Sequence, residues 1–380
     1  MTTRSIRHRS GVRKKPISDI REIVTQFELG GTLIAADRYG RGHINDTYLV
    51  LVGRNGGETR FILQRINQHV FRDPESLMEN IRRITEHLRS KITGSRSCLS
   101  LVPANDGSYF FLDEEAGYWR AYQFIEGASS YDEVANTTQA REVAAMFGRF
   151  QSLLGDLPGP RLHETIPNFH NTPARFRQFH EVLERDAHDR ARHCAAEIDC
   201  ALAYEEAAGA LQALQDAGEI PERIAHNDTK LNNVMFDEHS DKAICVIDLD
   251  TVMPGSVLYD FGDLVRTAAT PTMEDETDLS KVRMRMDYYE ALVEGYLSTA
   301  MGFLTEAEVG NLSMAGKVIT VETGVRFLTD YLSGDEYFRI HRADQNLDRC
   351  RAQFALAASI DGQFDKMLKV VDSVAYRSES

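Results

Sequence analysis

The stretch His226-Asn227-Asp228-Thr229-Lys230-Leu231-Asn232-Asn233 decides the fold of this 380-residue chain. In it, Asp228 is followed two residues later by Lys230 and five residues later by Asn233. A loop with this spacing brings a carboxylate, an ammonium group and a carboxamide to one reacting centre. Taken alone, so polar a string also suits an ordinary surface turn, and its context has to decide between the two.

The context is a predicted β-hairpin directly after the loop. Residues 233–236 and 243–248 have the composition of strands, with turn residues between them at 237–242, and the second strand ends in Asp248-Leu249-Asp250. An H-x-D loop, an Asn five residues after the Asp, and then a further Asp is the order found in kinases. This context favours a phosphoryl-transfer loop over a surface turn.

Each residue of the loop then has a predicted role. We predict that Asp228 is the catalytic base, because it has to meet the acceptor hydroxyl. Lys230 is predicted to supply positive charge near the transferred phosphoryl group. Asn233 and Asp248 are the predicted ligands of the Mg²⁺ that bridges the phosphates of ATP, the expected cofactor.

Three nearby residues receive weaker assignments. His226 is predicted to support the loop rather than touch substrate. Asp250 lies two residues after Asp248, so on a regular strand it would share a face with it and could assist at the metal site. The literal DFG at residues 260–262 lies beyond the hairpin in a predicted helix, and we interpret Asp260 as a cap or support for the catalytic loop.

The rest of the chain predicts an α+β, protein-kinase-like fold of two lobes. A basic mobile tail (1–16) precedes a small β-rich, nucleotide-binding N-lobe (17–126) and a larger helical C-lobe (127–372) with the catalytic loop and the acceptor site. The predicted N-lobe strands are 33–39, 47–52, 60–66, 108–112 and 118–124, with one helix near 77–88. The predicted C-lobe helices are 137–154, 172–187, 196–217, 284–301, 305–333 and 345–371.

Composition excludes several classes of protein. A net charge of −15 argues against a general nucleic-acid binder, although residues 1–15 carry six basic side chains and no acidic one. No apolar run is long enough for a membrane helix, and the five scattered cysteines contain no CxxC pair. We therefore expect a cytoplasmic monomer that acts on a small molecule and binds neither nucleic acid nor membrane.

The N-lobe contains the candidate nucleotide contacts. Gly40 and Gly42 lie between two predicted strands, where glycines let backbone N–H groups approach phosphates, and His43 follows them. An ordinary hairpin turn has the same composition. Its place at the start of a kinase-like lobe favours the phosphate loop, from which His43 can reach phosphate or sugar.

Kinases place a lysine on the third strand, and this chain departs from that pattern. The expected position holds Gln64, with Arg65 next to it on the opposite face. Either Gln64 binds the phosphates without charge, or Arg65 turns inward at a bulge. Backbone groups at Gln123 and Ile125, in the segment that connects the two predicted lobes, are the predicted contacts of adenine.

The motifs together resemble a known superfamily. HNDTKLNNVMFD (226–237) and IDLDTVMPGSVLYDFGD (247–263) look like the aminoglycoside phosphotransferase and choline kinase superfamily. With YGRGHINDTYLV (39–50), EDETDLSKV (274–282) and VRFLTDYLSGDEYF (325–338), the chain resembles bacterial N-acetylhexosamine 1-kinases over roughly residues 20–360. This resemblance implies transfer of the γ-phosphate of ATP to the anomeric hydroxyl of N-acetylglucosamine or N-acetylgalactosamine.

The acceptor site is predicted on a late helix. Glu322, Arg326 and Asp330 recur every four residues, which is also the pattern of an exposed ion-pair ladder. The apolar flanks of Arg326, and its place in one of the matching motifs, favour a role in holding sugar hydroxyls or an acetamide oxygen. Tyr337 could pack its ring on a sugar face or be an ordinary half-buried tyrosine.

Two other functions stay open at this point. An aminoglycoside or choline kinase would use the same fold, although a choline site needs an aromatic cage, and the only tryptophan, Trp119, is in a predicted N-lobe strand. A non-catalytic pseudokinase is the second alternative. It is supported by Gln64 and opposed by the intact Asp228, Asn233 and Asp248.

Overall fold

The computed structural model describes residues 17–40, 44–54 and 56–376. These residues form two compact units. The first comprises the described residues up to Gln68 together with Ser100–Phe124, and the second comprises His69–Leu99 and the described residues from Ile125 onward. Within these ranges, no helix combines the length and the apolar character needed to cross a membrane. The predicted basic tail lies outside the described residues.

The first unit is an antiparallel sheet with one short helix. The sheet has the order β1-β2-β3-β6-β4, and β5 also pairs with β6. Its elements are α1 (Ile17–Val24), β1 (Thr32–Arg38), β2 (Asp46–Arg54), β3 (Gly57–Arg65), β4 (Leu101–Val102), β5 (Phe111–Leu112) and β6 (Tyr118–Gln123). The predicted β-rich character of the N-terminal part of the chain is therefore confirmed.

Buried and less buried side chains alternate along the central strands, so one face of this sheet forms a hydrophobic core. Val50 and Val52 on β2 pack with Phe61 and Leu63 on β3, and the fully buried Trp119 of β6 joins them. The tight turn between β2 and β3 contains Gly56, whose φ of 95° is easily reached only by glycine.

The second unit is mostly helical, with two small sheets of order β10-β9-β7 and β11-β8. Its helices are α2 (Pro74–Lys91), α3 (Thr137–Leu154), α4 (Thr172–Arg185), α5 (Ala195–Ala208), α6 (Ala210–Asp216), α7 (Val257–Ala268), α8 (Met286–Ala300), α9 (Glu306–Gly310), α10 (Leu312–Leu332), α11 (Gln345–Asp361) and α12 (Phe364–Ala375). Its strands are β7 (Ala128–Ser129), β8 (Arg223–Ala225), β9 (Val234–Asp237), β10 (Ala243–Val246) and β11 (Met253–Gly255).

Helix α2 belongs to this second unit, whereas the sequence interpretation put it in the N-lobe. Asn80 on α2 donates to the carbonyl oxygen of His163 at 2.8 Å and accepts from the N–H of the same residue at 3.0 Å. Arg83 donates to the carbonyl of Pro160 at 2.6 Å. These partners lie about 80 residues away, so local sequence patterns carry no sign of them.

The core of the second unit is built around α10, which is buried along most of its length. Helix α7 approaches it closely. A Cβ on Gly262 would lie 2.4 Å from the carbonyl oxygen of Ala315 on α10, so only glycine fits there. The glycine of the DFG string therefore has a packing role between two helices.

Candidate active site

The catalytic loop leaves β8 and ends in a 3-10 turn, Leu231–Asn233, that leads into β9. Asp228 lies at its centre. The Nζ of Lys230 is 2.6 Å from Oδ1 of Asp228. The Asn233 amide nitrogen donates to Oδ2 of Asp228 at 3.1 Å and to its carbonyl oxygen at 2.8 Å. The loop thus brings the predicted base, its cation and the predicted metal ligand together.

The charges of this group support each other. Burial raises the pKa of Asp228, but the charge of Lys230 and the hydrogen bond from it lower the pKa more, so that the net pKa is below its usual range. For Lys230, burial lowers the pKa, but the charges of Asp228 and Asp263 raise it by more, so that the net pKa is above its usual range. At neutral pH the site therefore holds an ionised carboxylate beside a charged ammonium group.

Asp260 holds the backbone at the start of the loop. Its Oδ1 accepts the N–H of Asn227 at 2.6 Å, and its Oδ2 accepts the N–H of His226 at 2.7 Å. The amide of Gln151 donates to the same Oδ2 at 2.6 Å, and the hydroxyl of Thr229 donates to the carbonyl of Asp260. Asp260 is fully buried. The prediction that it supports the loop is confirmed.

His226 connects the loop to the strand that carries the predicted metal ligand. Its Nε2 bonds to the carbonyl oxygen of Ile247 at 3.0 Å, and its buried ring meets those of Phe147 and Phe150 edge-on at 5.2 and 5.9 Å. Because Ile247 immediately precedes Asp248, this bond fixes the position of Asp248 relative to the loop. His226 supports the loop, as predicted.

Ile247, which directly precedes Asp248, also bonds to Asn233. The N–H of Ile247 donates to the carbonyl of Asn233 at 2.9 Å. Since the amide nitrogen of Asn233 is engaged by Asp228, its Oδ1 is the atom left for a cation. Asp248 is exposed and has a φ of 59°, a left-handed conformation that Asp tolerates better than most residues.

This oxygen set fits Mg²⁺. That ion usually takes one or two protein oxygens together with phosphates and water rather than a full protein cage. The described residues contain no group of three or more His, Cys, Asp or Glu side chains that could hold a metal. The role of Asn233 and Asp248 as the metal ligands stays a prediction.

The suggestion that Asp250 shares a face with Asp248 is wrong. Strand β10 ends at Val246, and Leu249–Thr251 form a 3-10 turn, so the alternation of a strand does not extend to residue 250. As a result Asp250 is buried and Asp248 is exposed.

The three charged residues of α10 do not form an ion-pair ladder. Glu322 is fully buried, and its two carboxylate oxygens are 2.8 Å from Nδ1 of His170 and 2.5 Å from the hydroxyl of Thr172. Asp330 accepts the N–H groups of Tyr337 and Phe338 at 2.8 and 2.9 Å. Each acid therefore fixes a different segment of chain.

Arg326 lies between these two acids and among aromatic rings. Its guanidinium carbon is 5.1 Å from the ring centre of Phe169 and 5.6 Å from that of Phe338. Tyr337, which meets Phe338 edge-on at 4.8 Å, is 61% exposed. The structure therefore places Arg326 and Tyr337 in one aromatic cluster.

A second arginine belongs to this cluster and was not predicted. Arg175 donates two hydrogen bonds, at 3.3 and 2.7 Å, to the carbonyl of Phe169. Burial and the nearby charge of Arg326 lower the pKa of Arg175. In the described part of the chain, neither guanidinium forms an ion pair with a carboxylate. We refer to Phe169, Arg175, Arg326, Tyr337 and Phe338 as the arginine–aromatic cluster.

In the first unit, the predicted phosphate loop is described only at its ends. Gly40 has a φ of 76°, which suits glycine, while Gly42 and His43 lie outside the described residues. After the loop, Oδ1 of Asn45 accepts the N–H of Asn67 at 3.0 Å, and Asn67 donates back to the carbonyl of Ile44. This exchange anchors one end of the loop beside the end of β3.

The position of the usual kinase lysine holds a Gln supported by an Arg. On neighbouring strands, Thr47, Gln64 and Arg120 are direct cross-strand partners. Arg120 donates to Oε1 of Gln64 at 3.0 and 2.9 Å, and Nε2 of Gln64 donates to the Thr47 hydroxyl at 3.1 Å. Because Arg only donates, the orientation of the Gln64 amide is fixed.

Arg65 does not replace the lysine by turning inward. Strand β3 pairs with β2 without a register shift, so there is no bulge at this point. The guanidinium of Arg65 instead lies 6.0 Å from the ring of Trp119. The positive charge next to Gln64 is that of the buried Arg120, which sequence reasoning missed; an arginine within the strand sequence YWRAYQ was its only signal.

The connector residues are placed as follows. Gln123 ends β6, and its N–H donates to the carbonyl of Ser100 at 2.9 Å. The side chain of Ile125 is buried with Ala128 and Cys245. Their role in holding adenine stays a prediction.

Comparison with known proteins agrees with this geometry. The sequence model of the phosphotransferase enzyme family matches residues 36–302. Among solved structures, an aminoglycoside phosphotransferase from Alicyclobacillus acidocaldarius is similar with a TM-score of 0.60 and 11% identity, covering 97% of this chain and 98% of that one. A choline kinase from Cryptosporidium parvum Iowa II has a TM-score of 0.56 and 14% identity, with 95% and 100% covered.

A spectinomycin phosphotransferase in complex with ADP and spectinomycin is also similar, with a TM-score of 0.55, 12% identity, and 94% and 98% of the chains covered. At these identities the likenesses show the fold and leave the acceptor undecided. The predicted protein-kinase-like fold is confirmed.

Proposed function

Because the chain belongs to the phosphotransferase enzyme family, we propose that it transfers the γ-phosphate of ATP to the anomeric hydroxyl of an N-acetylhexosamine. The products are ADP and the sugar 1-phosphate. The observation that carries the transfer chemistry is the group of Asp228, Lys230 and Asn233 on one loop, held from below by Asp260. A pseudokinase would have no need of this arrangement.

In the proposed reaction, Asp228 orients the anomeric hydroxyl and accepts its proton as the sugar oxygen attacks the γ-phosphorus. The bond between that phosphorus and the β–γ bridging oxygen breaks, and ADP leaves. Lys230, 2.6 Å from Asp228, neutralises charge on the transferred group. Mg²⁺, held by Asn233 and Asp248, would supply further charge neutralisation at the phosphates. The anomeric hydroxyl is more acidic than an ordinary alcohol, so positioning and charge account for most of the acceleration.

The charge of the arginine–aromatic cluster supports a neutral sugar. Arg175 and Arg326 are two cations without a carboxylate ion-pair partner among the described residues, and the two oxygens of nearby Glu322 are engaged by His170 and Thr172. A polycationic aminoglycoside or a choline would be repelled there. Guanidinium groups instead donate to sugar hydroxyls and to an acetamide oxygen.

The aromatic members of the cluster support the same class of acceptor. Phe169 and Phe338 lie on Arg326 and limit how its guanidinium can turn. Tyr337 has a largely exposed ring, while its backbone is fixed by Asp330. A ring held in this way can pack on the apolar face of a hexose. Together with the motif resemblance, this favours an N-acetylhexosamine.

The first test measures Arg326→Ala against both substrates. If Arg326 holds the sugar, the KM for sugar rises about 10- to 100-fold, as for one charged hydrogen bond, and the KM for ATP stays close to that of the wild type. Arg285→Ala is the matched control, because Arg285 also lies on an aromatic ring, that of Tyr288, but outside the cluster. Equal rises in both KM values would remove Arg326 from the acceptor site.

The second test asks which oxygen receives the phosphate. The 1-O-methyl glycoside of the sugar has no free anomeric hydroxyl, so it should give no product at any concentration. The free sugar should give a 1-phosphate, identified by its phosphorus–proton coupling in NMR spectra. Phosphorylation of the methyl glycoside would occur at another hydroxyl and would refute anomeric transfer.

A further inference from the structure

His170 lies at the junction of the catalytic loop and the arginine–aromatic cluster. Its Nε2 is 3.0 Å from the carbonyl oxygen of Asn227, and its Nδ1 is 2.8 Å from Oε1 of Glu322. Its neighbour in sequence is Phe169, the ring under Arg326. The imidazole also lies 5.4 Å from the ring of Tyr259 and is almost completely buried.

Hydrogen bonding fixes the orientation of this imidazole. A backbone carbonyl can only accept, so Nε2 of His170 donates to Asn227. On the other side of the ring, Nδ1 meets Oε1 of Glu322, whose second oxygen accepts from the hydroxyl of Thr172. The ring therefore links the catalytic loop to Glu322 through both of its nitrogens.

The carbonyl that His170 holds belongs to a special position of the loop. Asn227 directly precedes Asp228 and has a φ of 65°, a left-handed conformation that costs free energy and needs support. Its N–H is held by Asp260, at 2.6 Å, and its carbonyl by His170. Its own amide nitrogen donates to the carbonyls of Ala225 and Thr251. The backbone that carries Asp228 is therefore fixed at the N–H, the carbonyl and the side-chain amide nitrogen of Asn227.

A buried pair of titratable side chains contributes little to stability by itself, because well-packed apolar residues of similar size often stabilise a protein equally well. What the hydrogen bonds of His170 add is a defined orientation. Glu322 and Arg326 are one turn apart on α10, so His170 connects the catalytic loop to the helix that carries the arginine of the acceptor site.

We propose that His170, oriented by Glu322, is a positioning residue for phosphoryl transfer that sets Asp228 relative to the acceptor held at α10. Without it, the strained Asn227 peptide can turn and the carboxylate of Asp228 moves relative to the acceptor hydroxyl. The proposal rests on the role of Asp228 in the proposed function, and it applies to any alcohol that the cluster holds.

The test compares three variants in steady-state kinetics and thermal unfolding. His170→Gln replaces the two ring nitrogens by a single amide nitrogen. His170→Gln with Glu322→Gln also removes the carboxylate, so that no buried charge is left unpaired. His180→Gln is the matched control, because His180 forms the same type of pair with Glu205, at 2.9 Å, on the exposed side of α4.

We expect His170→Gln to lower kcat about 10- to 100-fold, the loss found for misplacement of a reacting group by about 1 Å. The KM for ATP should change less than about 2-fold and the control should match the wild type, because neither depends on this contact. In the double variant the Tm should recover while kcat stays low. This separation distinguishes positioning from stability, and the double variant carries the test alone if His170→Gln does not fold.

A folded His170→Gln enzyme with kcat close to the wild-type value would overturn the proposal, and so would a double variant in which kcat recovers together with the Tm. Failure of the proposed function looks different. In that case the wild type and His180→Gln would also fail to phosphorylate the sugar. The variants would then be compared on whichever alcohol the wild type phosphorylates in a substrate panel.

Discussion

Replacing Lys230 by Met should move the acid limb of the pH–rate profile to higher pH. In its proposed role, Asp228 can act as a base only when it is ionised. Burial raises the pKa of Asp228 and the charge of Lys230 lowers it to a net value below the usual range, so in the wild type the base form persists as the pH falls past the ordinary Asp value of about 3.9. Met keeps the length of the side chain but removes the charge, so burial should prevail and activity should fall off at a higher pH.

The size of the shift follows from the geometry of the pair. Two unit charges about 4 Å apart interact by about 1 kcal/mol in water and about 4 kcal/mol near a protein surface. The Lys230 and Asp228 side chains are 43% and 22% exposed, so water screens their contact at 2.6 Å and the lower half of that range applies. An interaction of about 1–2.5 kcal/mol corresponds to about one to two pH units. The hydrogen bond from Asn233 remains in the variant and limits the shift.

The assay is kcat/KM for the sugar between pH 4 and 8, with circular dichroism to verify that each enzyme is folded. The kcat/KM value reports groups of the free enzyme, and the ionisation of ATP is common to all the enzymes compared. Lys281→Met is the matched control, because Lys281 forms an exposed pair with Asp278 at 3.3 Å. The plateau of Lys230→Met will be lower than that of the wild type. Coincident acid limbs in the two enzymes would refute the electrostatic role of Lys230.

Three further changes test the remaining parts of the site. Asp248→Asn keeps a residue that tolerates the left-handed backbone, so the fold should persist while Mg²⁺-dependent activity falls at least about 10²-fold; Mg²⁺ found on Asp260 in a nucleotide complex would reverse the assignment. Asp260→Ala leaves two buried N–H groups unpaired and should lower the free energy of unfolding by about 2–6 kcal/mol, measured with denaturant; a stability equal to the wild type would contradict this. Gln64→Ala should raise the KM for ATP about 2- to 10-fold and leave the KM for sugar unchanged, and the reverse pattern would remove Gln64 from the nucleotide site.

Local signals in the sequence predicted the parts of the fold that depend on neighbouring residues. The strands of the first unit and the 3.6-residue pattern of α3 could be found because their side chains alternate or recur at fixed spacing. Three predicted helices were too long for the same reason. Residues 196–217, 305–333 and 345–371 each keep an apolar pattern across a break, and the structure divides each of them into two helices.

The catalytic loop was predictable because its members lie within eight residues, while its supports were not. His170 and Glu322 are separated by 152 positions, and Gln64 and Arg120 by 56. A buried histidine or a strand arginine has no periodic pattern of its own, and only folding reveals which carboxylate or amide it meets. Among the supports of the loop, Asp260 is an exception. It was predicted because it lies in the DFG string, not because the sequence shows which residues it contacts.

The difference between contacts within one loop and contacts between distant segments also explains why the reaction is easier to infer than the acceptor. Asp228 and its cation are set by one short loop, which relatives with different acceptors can share. The arginine–aromatic cluster, which is the proposed acceptor site, is assembled from the segment at Phe169, from α4 and from α10. Helix α10 also carries Glu322, one turn before Arg326, so substitutions on it that change the acceptor would also act near the contact proposed to position Asp228. A change of acceptor that preserves kcat should therefore alter the cluster from α4 or from the turn at Tyr337, and leave His170 and Glu322 in place.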